Sequence, residues 1–417
     1  MPQFQRAHVQ ELCDLLEASP RFIIAIFGPR QTGKTTIVRQ ALERTSIPGR
    51  LLPIDSLESP PLDASPGLTG EPPVIPRAGS TEWLVRHWRA ARAEAELTRR
   101  GFVLVLDEIQ KLPDWSETVK GLWDADRARG CPLRIVLLGS APLLLQSGLN
   151  ESLMGRFLPL SVTHWTYDEM SQGFGFSLDE YLYFGGYPGP AHIRGNSKLW
   201  MGYMAESIVA PAIDRDLLAM TRVDKPALLR QLVDAALHYS GQIVSYNKLL
   251  GQLQDAGNTT TLARYIDLLS RVGLVAGLSK YSGAHVRSRA SSPKLNVLNT
   301  SLMTAGSTYS FDEARNDRTF WGRIVESAVG AHLVNSATPG IEVQYWREGN
   351  TEVDFVLRGG PRIVGIEVKS GGTLRHARGM DTFRAKHSVD HCLVVGGGGV
   401  SLDEFLSEPA EHWLRQP

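Results

Sequence analysis

Cysteine is scarce in this chain of 417 residues, which has only three: Cys13, Cys131 and Cys392. They lie too far apart in sequence to form a cysteine-rich metal knuckle, and their small number favours a reducing cytosol over a disulfide-bonded secreted protein. The eleven histidines include no pair at the spacing of a zinc site. Zinc is therefore not expected.

Long apolar runs are missing as well. No 18 consecutive residues are apolar, so no membrane span is expected, and the first 21 residues lack the apolar centre of a signal peptide. Lysine plus arginine and aspartate plus glutamate number 44 each, so contact with DNA would need a local basic patch. We therefore expect a cytoplasmic protein, and its length suggests two to four domains.

The most informative segment is a glycine-rich loop between an apolar run and a helical pattern. Residues 28–35 read Gly-Pro-Arg-Gln-Thr-Gly-Lys-Thr, which matches the phosphate-binding pattern G-x-x-x-x-G-K-[ST]. Residues 22–27 predict a buried strand and residues 36–44 a helix, which is the context that this pattern requires. Glycine lets the backbone approach an anion closely, and the amide groups at the helix N-terminus then face phosphate oxygens. The predicted nucleotide-binding residues are Gly28, Pro29, Arg30, Gln31, Thr32, Gly33, Lys34, Thr35 and Thr36.

Two side chains of this loop predict binding of ATP together with Mg²⁺. Lys34 would contact the β- and γ-phosphates, and the Thr35 hydroxyl would ligate Mg²⁺. The alternative is a chance match or a structural glycine turn. The strand before the loop and the helix after it argue against that alternative.

Two carboxylates follow a second apolar run, residues 102–106. Parallel strands that are buried on both faces have continuous apolar sequences, and ligands bind at their carboxyl ends. Asp107 is therefore predicted to hold Mg²⁺, directly or through water, and Glu108 to polarise the attacking water. The alternative is a solvated strand end.

Ser140 and Arg156 are further candidates for the chemistry, each with a plainer alternative. Ser140 follows a third apolar run, residues 133–138, where it would sense the γ-phosphate or simply cap the next helix. Arg156 would act as an arginine finger on the phosphoryl group of a neighbouring subunit, or would pair with a local acid such as Glu151. The finger interpretation predicts a homo-oligomer, because such a residue works across a subunit boundary.

Four motifs in one order carry a resemblance to a known family: residues 28–36, 106–110, 139–140 and 153–156. Together they resemble a family of bacterial and archaeal AAA-type ATPases of the extended AAA+ class, in which a C-terminal domain of unknown function follows the ATPase core. The resemblance covers about residues 23–160 and implies a small helical lid after the core. It also implies that the nucleotide chemistry is carried by Lys34, Thr35, Asp107 and Glu108.

A proline-rich segment, residues 53–76, interrupts the predicted core and cannot form a regular helix or strand. A helix is predicted to resume beside a polar cap at Ser80. Its apolar side chains recur at helical spacing and predict core or subunit packing rather than a cofactor site. They are Trp83, Leu84, His87, Trp88 and Ala91.

Residues 223–290 predict a winged helix-turn-helix, whose third helix spans residues 259–271. If this module binds DNA, the first turn of that helix would enter the major groove. The residues nearest DNA would be Thr259, Thr260, Thr261 and Arg264, with Lys280, Arg287 and Arg289 contacting phosphates from the wing. The modest basicity leaves packing against protein equally open.

The last part of the chain contains a pattern of three carboxylates and a lysine. Glu326 lies on an amphipathic helix, Asp354 on one strand, and Glu367 and Lys369 on one face of the next strand. Neighbouring carboxylates favour a hard cation such as Mg²⁺, and a metal-bound water beside a lysine can attack a phosphodiester. The set resembles the PD-(D/E)XK nuclease superfamily. The alternative is a nuclease-like fold that has lost activity or serves as a docking module.

These patterns together predict an α/β protein. We expect a parallel-sheet phosphate-loop ATPase core at residues 1–165, a helical lid at 166–222, a winged helix-turn-helix at 223–290 and an α/β nuclease-like domain at 291–417. The predicted function is ATP binding and hydrolysis with Mg²⁺, associated with DNA and a metal-dependent nuclease-like domain. The alternative is a nucleotide-driven conformational switch whose C-terminal half binds a protein partner without catalysis.

Overall fold

Five apolar segments near the N-terminus form one sheet. Its order across the sheet is second, third, fourth, first and fifth strand, and every neighbouring pair is parallel. The central strands are buried on both faces, which explains why their sequences show no polar alternation. The strands are β1 (Ile23–Phe27), β2 (Gly49–Pro53), β3 (Phe102–Asp107), β4 (Leu133–Gly139) and β5 (Phe157–Ser161).

The structure is a computed structural model, and it describes residues 4–54, 80–139, 149, 152–218, 223–253, 257–283, 291–371 and 378–416. Contacts divide the chain into an N-terminal unit, Gln5–Val162, and a C-terminal unit, Thr163–Pro417 together with Phe4. The predicted ATPase core ends near the boundary between these units. The other three predicted domains all fall within the C-terminal unit.

Helices cover both faces of the parallel sheet. Alternate residues of β3 point to opposite faces, so Val103 and Val105 join one apolar cluster and Leu104 and Leu106 join the other. The first cluster includes side chains of α1 (Ala7–Glu17) and α2 (Lys34–Arg44). The second includes side chains of α3 (Thr81–Leu97) and α4 (Trp115–Arg129).

The predicted cap and apolar stripe of α3 are confirmed. The Ser80 hydroxyl accepts a hydrogen bond of 3.1 Å from the amide of Trp83. All five side chains of the stripe are buried within this unit. They form part of the core, as the spacing predicts.

Short helices open the C-terminal unit. They are α5 (Tyr167–Phe174), α6 (Leu178–Phe184) and α7 (Ser197–Tyr203), followed by two π-helical segments, Met204–Val209 and Ala212–Leu218. Helix α6 ends at Phe184, and Gly185 and Gly186 follow it. A Cβ atom at Gly186 would lie 2.1 Å from the carbonyl oxygen of Trp165, so only glycine fits there.

A three-stranded antiparallel sheet with three helices follows. In chain order these elements are α8 (Pro226–His238), β6 (Gln242–Ile243), α9 (Tyr246–Gln252), α10 (Thr259–Arg271), β7 (Val275–Leu278) and β8 (Lys294–Val297). Strand β8 pairs with both β6 and β7. The sheet therefore continues past residue 290, where the sequence places the end of this module.

The final elements surround a mixed four-stranded sheet. After α11 (Ser301–Ala305) and α12 (Phe311–Asn316) come α13 (Arg318–Ser336), β9 (Ile341–Glu348), β10 (Thr351–Gly359), β11 (Arg362–Lys369), α14 (Arg378–Lys386), β12 (His391–Gly396), α15 (Leu402–Ser407) and α16 (Ala410–Arg415). The order across the sheet is β12-β11-β10-β9, and only the β11–β12 pair is parallel. Among the described helices, none is both long enough and apolar enough to cross a membrane.

Candidate functional site

The glycine-rich loop connects β1 to α2, as its sequence predicts. A Cβ atom at Gly28 would lie 1.9 Å from the carbonyl oxygen of Val162, so the loop passes this backbone at a distance that only glycine allows. Gly33, directly before α2, has a positive φ of 91°. These two glycines bring the chain from the end of β1 to the first turn of α2, where the helix N-terminus is suited to an anion.

Lys34 is buried, with 8% of its surface exposed. Its ammonium donates to the carbonyl oxygens of Gly28, at 2.9 Å, and Pro29, at 2.6 Å. The Thr32 hydroxyl donates to the same Pro29 carbonyl at 3.0 Å. The ammonium is thus held within the loop, where it can exchange carbonyl oxygens for phosphate oxygens.

Thr35 and Asp107 meet across the sheet. The Thr35 hydroxyl donates a hydrogen bond of 3.0 Å to Oδ2 of Asp107. Asp107 ends β3 and Thr35 begins α2, so both lie at the carboxyl edge of the sheet. A hydroxyl and a carboxylate at this distance form a suitable donor set for Mg²⁺, which prefers oxygen ligands.

Glu108 has a left-handed backbone, with φ of 59°. Its Oε2 accepts a hydrogen bond of 2.8 Å from the Gln110 side chain and lies 3.8 Å from the ammonium of Lys111. A left-handed conformation is uncommon outside glycine and recurs at functional sites. The backbone and these two neighbours fix where the carboxylate points.

Arg156 lies at the opposite edge of the sheet from the phosphate-binding loop. It directly precedes β5, whose first residue, Phe157, pairs with Ile23 at the start of β1. Its guanidinium forms a two-point ion pair with Asp124, at 2.8 and 3.0 Å, and this contact holds the pKa of the Asp124 carboxyl below its usual value. The acid that pairs with Arg156 is therefore Asp124. Two other residues named from the sequence, Ser140 and Glu151, lie outside the described residues.

The predicted carboxylate set of the C-terminal unit does come together. Asp354 sits on β10, where the pairing with β9 is interrupted by a bulge between Val353 and Val356. Its Oδ2 accepts a hydrogen bond of 2.8 Å from the amide of Val368. The ammonium of Lys369 lies 2.5 Å from Oε1 of Glu367.

A residue that the sequence analysis missed, Lys294, lies among these carboxylates. Its side chain is fully buried, and its ammonium is 2.5 Å from Oε1 of Glu326 and 3.8 Å from Oδ1 of Asp354. It also lies 3.7 Å from Oε1 of Glu352. The weak signal in the sequence is a lone lysine at the start of the short strand β8, which is buried along its whole length.

Burial and charge pairing both act on the pKa values of this cluster. Burial raises the pKa of Glu326 to about 7, although the Lys294 ammonium opposes that shift. Burial also raises the pKa of Glu367 and of Glu352. For Lys294, burial favours the neutral amine, but Glu326 and Asp354 outweigh it and the pKa is raised.

The metal site predicted at Glu326, Asp354 and Glu367 stays a prediction. No three histidine, cysteine, aspartate or glutamate side chains in the described ranges are placed to hold a metal ion together. The ammonium of Lys294 stands between Glu326 and Asp354, so the carboxylates that the sequence assigns to a metal already share a positive charge.

The predicted DNA-contacting helix, α10, begins at Thr259 as expected. Oδ1 of Asn258 caps it, accepting hydrogen bonds from the amide and hydroxyl of Thr261 at 2.9 and 3.1 Å. Thr259, Thr260 and Arg264 are exposed. A cavity of about 470 Å³ opens beside this first turn, and the polar residues Ser245, Asn247, Thr259, Thr260 and Ser292 contribute to its lining.

The wing is described in part. Lys280, on the described side of the wing, forms an isolated bridge with Tyr345 of β9. Arg287 and Arg289 lie outside the described residues. The winged-helix assignment and its DNA contacts remain predictions.

Most of the N-terminal unit matches a known protein family. Residues 20–171 match the AAA domain family. The chain contains an AAA-type ATPase domain. Two domains of unknown function match the remainder, DUF8612 at residues 175–310 and DUF4143 at residues 321–404. The predicted ATPase fold and the predicted resemblance to AAA-type ATPases with a C-terminal domain of unknown function are confirmed.

Solved structures with partial likeness include three proteins. A Walker-type ATPase of Pyrococcus abyssi is 16% identical, covers 73% of this chain and 98% of its own, and has a TM-score of 0.43. The RuvB Holliday junction branch migration motor of Thermotoga maritima is 16% identical (65% and 89% covered, TM-score 0.30). The Orc1 protein of Aeropyrum pernix, in complex with DNA, is 14% identical (76% and 94%, TM-score 0.28). With TM-scores below 0.5, none of the three bears on what this chain does.

No curated protein sequence matches the chain significantly.

The ATPase domain also has a contact that the sequence analysis missed. The guanidinium of Arg6, which directly precedes α1, donates a hydrogen bond of 3.1 Å to the carbonyl oxygen of Thr32 in the phosphate-binding loop. Arg6 is buried, and its hydrogen bond helps to hold the loop in place.

Proposed function

We propose that this ATPase binds ATP with Mg²⁺ and uses hydrolysis to switch the conformation of a C-terminal half that does not itself catalyse a reaction. The observation that carries the nucleotide part is the hydrogen bond of 3.0 Å from Thr35 to Asp107. Thr35 and Asp107 would hold Mg²⁺, which neutralises the charge that develops on the β- and γ-phosphate oxygens. Lys34, already inside the loop, would contact the same two phosphates.

Glu108 is the proposed base or orienting group for the attacking water. It follows Asp107 directly, so it lies at the same edge of the sheet as the loop. The hydrogen bond from Gln110 keeps its carboxylate in one orientation. A fixed carboxylate loses less freedom when water and nucleotide arrive, which lowers the barrier to hydrolysis.

We propose that Arg156 acts on the nucleotide bound by a neighbouring copy of the chain. Four residue steps along β1, each about 3.3 Å, separate its edge of the sheet from its own phosphate-binding loop. It cannot reach its own nucleotide across that distance. If it acts as a finger it acts on another subunit, which is why we propose a homo-oligomer.

The C-terminal carboxylates favour the non-catalytic alternative over a metal-dependent nuclease. A nuclease of this class needs its carboxylates for metal ions. Here Glu326 pairs with Lys294, and Glu367 pairs with Lys369. Both ion pairs reduce the negative charge that would attract a metal.

The nuclease question is settled by a cleavage assay. The protein is incubated with Mg²⁺ or Mn²⁺ and mixed DNA and RNA, beside the Asp354→Asn variant. We expect no cleavage by either protein while ATP is still hydrolysed. Cleavage that the substitution abolishes would refute a non-catalytic C-terminal half.

The switch is tested by hydrogen exchange. Glu108→Gln should hold ATP without hydrolysing it, and Lys34→Ala should fail to bind it. We expect ATP to change the exchange of amides within residues 163–416 in the first variant and not in the second. Identical exchange with and without ATP in Glu108→Gln would contradict the switch.

DNA association is a second candidate function, and the first turn of α10 favours it. Exposed Thr259 and Thr260 border a cavity, and Arg264 is exposed one turn further along the helix. A helix N-terminus with hydroxyl groups and a cation suits the phosphate backbone of DNA. The neutral net charge of the chain makes this a local rather than a global attraction.

The test compares two arginines of the same helix. Arg264→Ala should weaken binding of a labelled DNA duplex and lower the salt dependence of binding by about one unit of slope. Arg271→Ala, at the far end of α10 and paired with Asp267, is the matched control. Equal affinities for the two variants would exclude this face of α10 as the DNA contact.

A further inference from the structure

Lys294 is a fully buried charged group of the C-terminal unit. Its side chain has no exposed surface. The ammonium contacts Oε1 of Glu326 at 2.5 Å and the backbone oxygen of Asp354 at 3.1 Å, and it lies 4.7 Å from the centre of the Phe355 ring. A charge without access to water is tolerated only when it is paired and hydrogen-bonded, so these contacts are a condition for the fold.

We infer that Lys294 is the resident cation of the carboxylate cluster formed by Glu326, Glu352, Asp354 and Glu367, and that it takes the place of a divalent metal there. This inference deepens the proposed function, since it gives the physical reason for a C-terminal half without metal-dependent catalysis.

The Lys294 ammonium and a divalent metal ion cannot occupy the same place, because of both their distances to the carboxylates and their charges. A divalent ion binds carboxylate oxygens at about 2.0–2.6 Å. The Lys294 ammonium lies within 3.8 Å of one oxygen from each of Glu326, Glu352 and Asp354. A divalent ion that used the same oxygens would lie within a few ångströms of the ammonium, where two positive charges repel strongly in a poorly hydrated site.

Two further oxygens of the cluster, one in Asp354 and one in Glu367, also have partners. Oδ2 of Asp354 accepts from the amide of Val368, and Oε1 of Glu367 lies 2.5 Å from the ammonium of Lys369. A metal that used these oxygens would have to displace two ammonium groups and one backbone hydrogen bond, whereas Oε2 of Glu367 is buried without a hydrogen-bond partner among the described residues.

The position of Lys294 in the chain gives the ion pair a structural role. Lys294 opens β8 of the three-stranded sheet, whereas Glu326 lies on α13 and Asp354 on β10 of the mixed sheet. The pair therefore joins the three-stranded sheet to α13 and the mixed sheet. A hydrogen bond between the hydroxyls of Ser240 and Ser327, 2.7 Å long, joins the same two regions.

The test measures metal dependence of stability in the full chain without nucleotide. Thermal unfolding is followed in EDTA and in Mn²⁺ for the wild type, for Lys294→Met, and for Lys386→Met. Lys386 forms an exposed ion pair with Glu348, so its substitution removes the same charge from a surface site. We expect Mn²⁺ to raise the melting temperature of Lys294→Met by several degrees, and to leave the wild type and Lys386→Met unchanged.

Adding Asp354→Asn to Lys294→Met should abolish that gain, which would place the new metal at the cluster. A folded Lys294→Met protein that gains nothing from Mn²⁺ would overturn the inference. If Lys294→Met does not fold, Mn²⁺ binding to the wild type decides. A Mn²⁺-dependent shift in the wild type that disappears in Asp354→Asn would overturn the inference, and the absence of such a shift supports it.

The cleavage assay separates this inference from the proposed function. Nucleic-acid cleavage without metal binding at the cluster would contradict a non-catalytic C-terminal half and leave Lys294 as the resident cation. Metal binding at the cluster without cleavage would overturn Lys294 as the resident cation and would leave the non-catalytic C-terminal half in place.

Discussion

The hydroxyl of Thr35 donates a hydrogen bond of 3.0 Å to Asp107, a residue 72 positions further along the chain. The two residues belong to different strand–helix segments, and β4 lies between their strands. Parallel strands place their carboxyl ends at one edge, so the sheet brings this hydroxyl and this carboxylate together. The pair that we propose to bind Mg²⁺ is therefore brought together by the sheet itself.

Thr35→Val and Asp107→Asn should each impair the Mg²⁺-dependent step. Loss of one metal ligand removes several kcal/mol of charge stabilisation, so we expect ATP turnover to fall on the order of 100-fold. Nucleotide binding in the absence of Mg²⁺ should change little. The measurement is ATP hydrolysis and nucleotide affinity at increasing Mg²⁺, and a wild-type Mg²⁺ dependence in either variant would exclude that residue as a ligand.

Glu108→Gln should bind ATP normally and hydrolyse it slowly. An amide cannot accept the proton of the attacking water, and a positioned base contributes about 10²–10⁴-fold to such reactions. Gln110→Ala should lower kcat by a smaller factor without raising KM, because it removes only the hydrogen bond that orients Glu108. A rise in KM with unchanged kcat in Gln110→Ala would show that Gln110 affects nucleotide binding instead.

Arg156→Ala should leave the stability of the ATPase nearly unchanged, because its pair with Asp124 is partly exposed to solvent. If Arg156 acts on a neighbouring subunit, turnover should fall on the order of 10³-fold. Asp124→Ala removes the same ion pair but keeps the guanidinium, so it should retain activity. Equal loss in both variants would mean that the ion pair, rather than a finger, supports turnover; the assay is hydrolysis at several protein concentrations.

His87 should make the ATPase domain sensitive to acid. Its side chain is buried against Trp83, and burial lowers its pKa from 6.5 to about 4. The unfolded chain binds a proton at His87 below pH 6.5, and the folded chain does not. The contribution of neutral His87 to the free energy of unfolding is therefore complete above pH 6.5 and is lost as the pH falls to about 4. The loss approaches about 3 kcal/mol.

The check is urea unfolding across that pH window with two substitutions. His87→Phe keeps an aromatic ring beside Trp83 but cannot be protonated, so its free energy of unfolding should vary less with pH than that of the wild type. His192→Phe, at an exposed position, should behave as the wild type. Identical pH profiles for His87→Phe and the wild type would refute the assignment.

The parts of the ATPase that the sequence predicts best are those with local causes. The phosphate-binding loop needs glycine at Gly28 and Gly33 for backbone reasons, and Asp107 follows an uninterrupted apolar run. Helix α10 begins at Thr259 because Asn258 supplies its cap. Each of these features is determined within a few residues, so a short segment is enough to recognise it.

The features that escaped prediction depend on contacts between distant segments. Lys294 precedes Glu326 by 32 positions and Asp354 by 60, and a lysine at the start of β8 is only a weak signal of a buried ammonium. The contact from Arg6 to Thr32 joins a residue before the first helix to the phosphate-binding loop in the same way. The sheet that includes β8 likewise crosses the domain boundary predicted at residue 290.

The central claim, that a loop near the N-terminus binds a nucleoside triphosphate through its amides and the Lys34 ammonium, is tested by titration with a fluorescent adenine nucleotide and Mg²⁺. We expect saturable binding by the wild type and by Lys120→Ala, whose exposed ammonium pairs with Glu117. Lys34→Ala should bind about 10- to 100-fold more weakly, since a hydrogen bond to a charged group contributes about 1.5–3 kcal/mol. Equal affinity in Lys34→Ala, or no saturable binding by the folded wild type, would contradict the account.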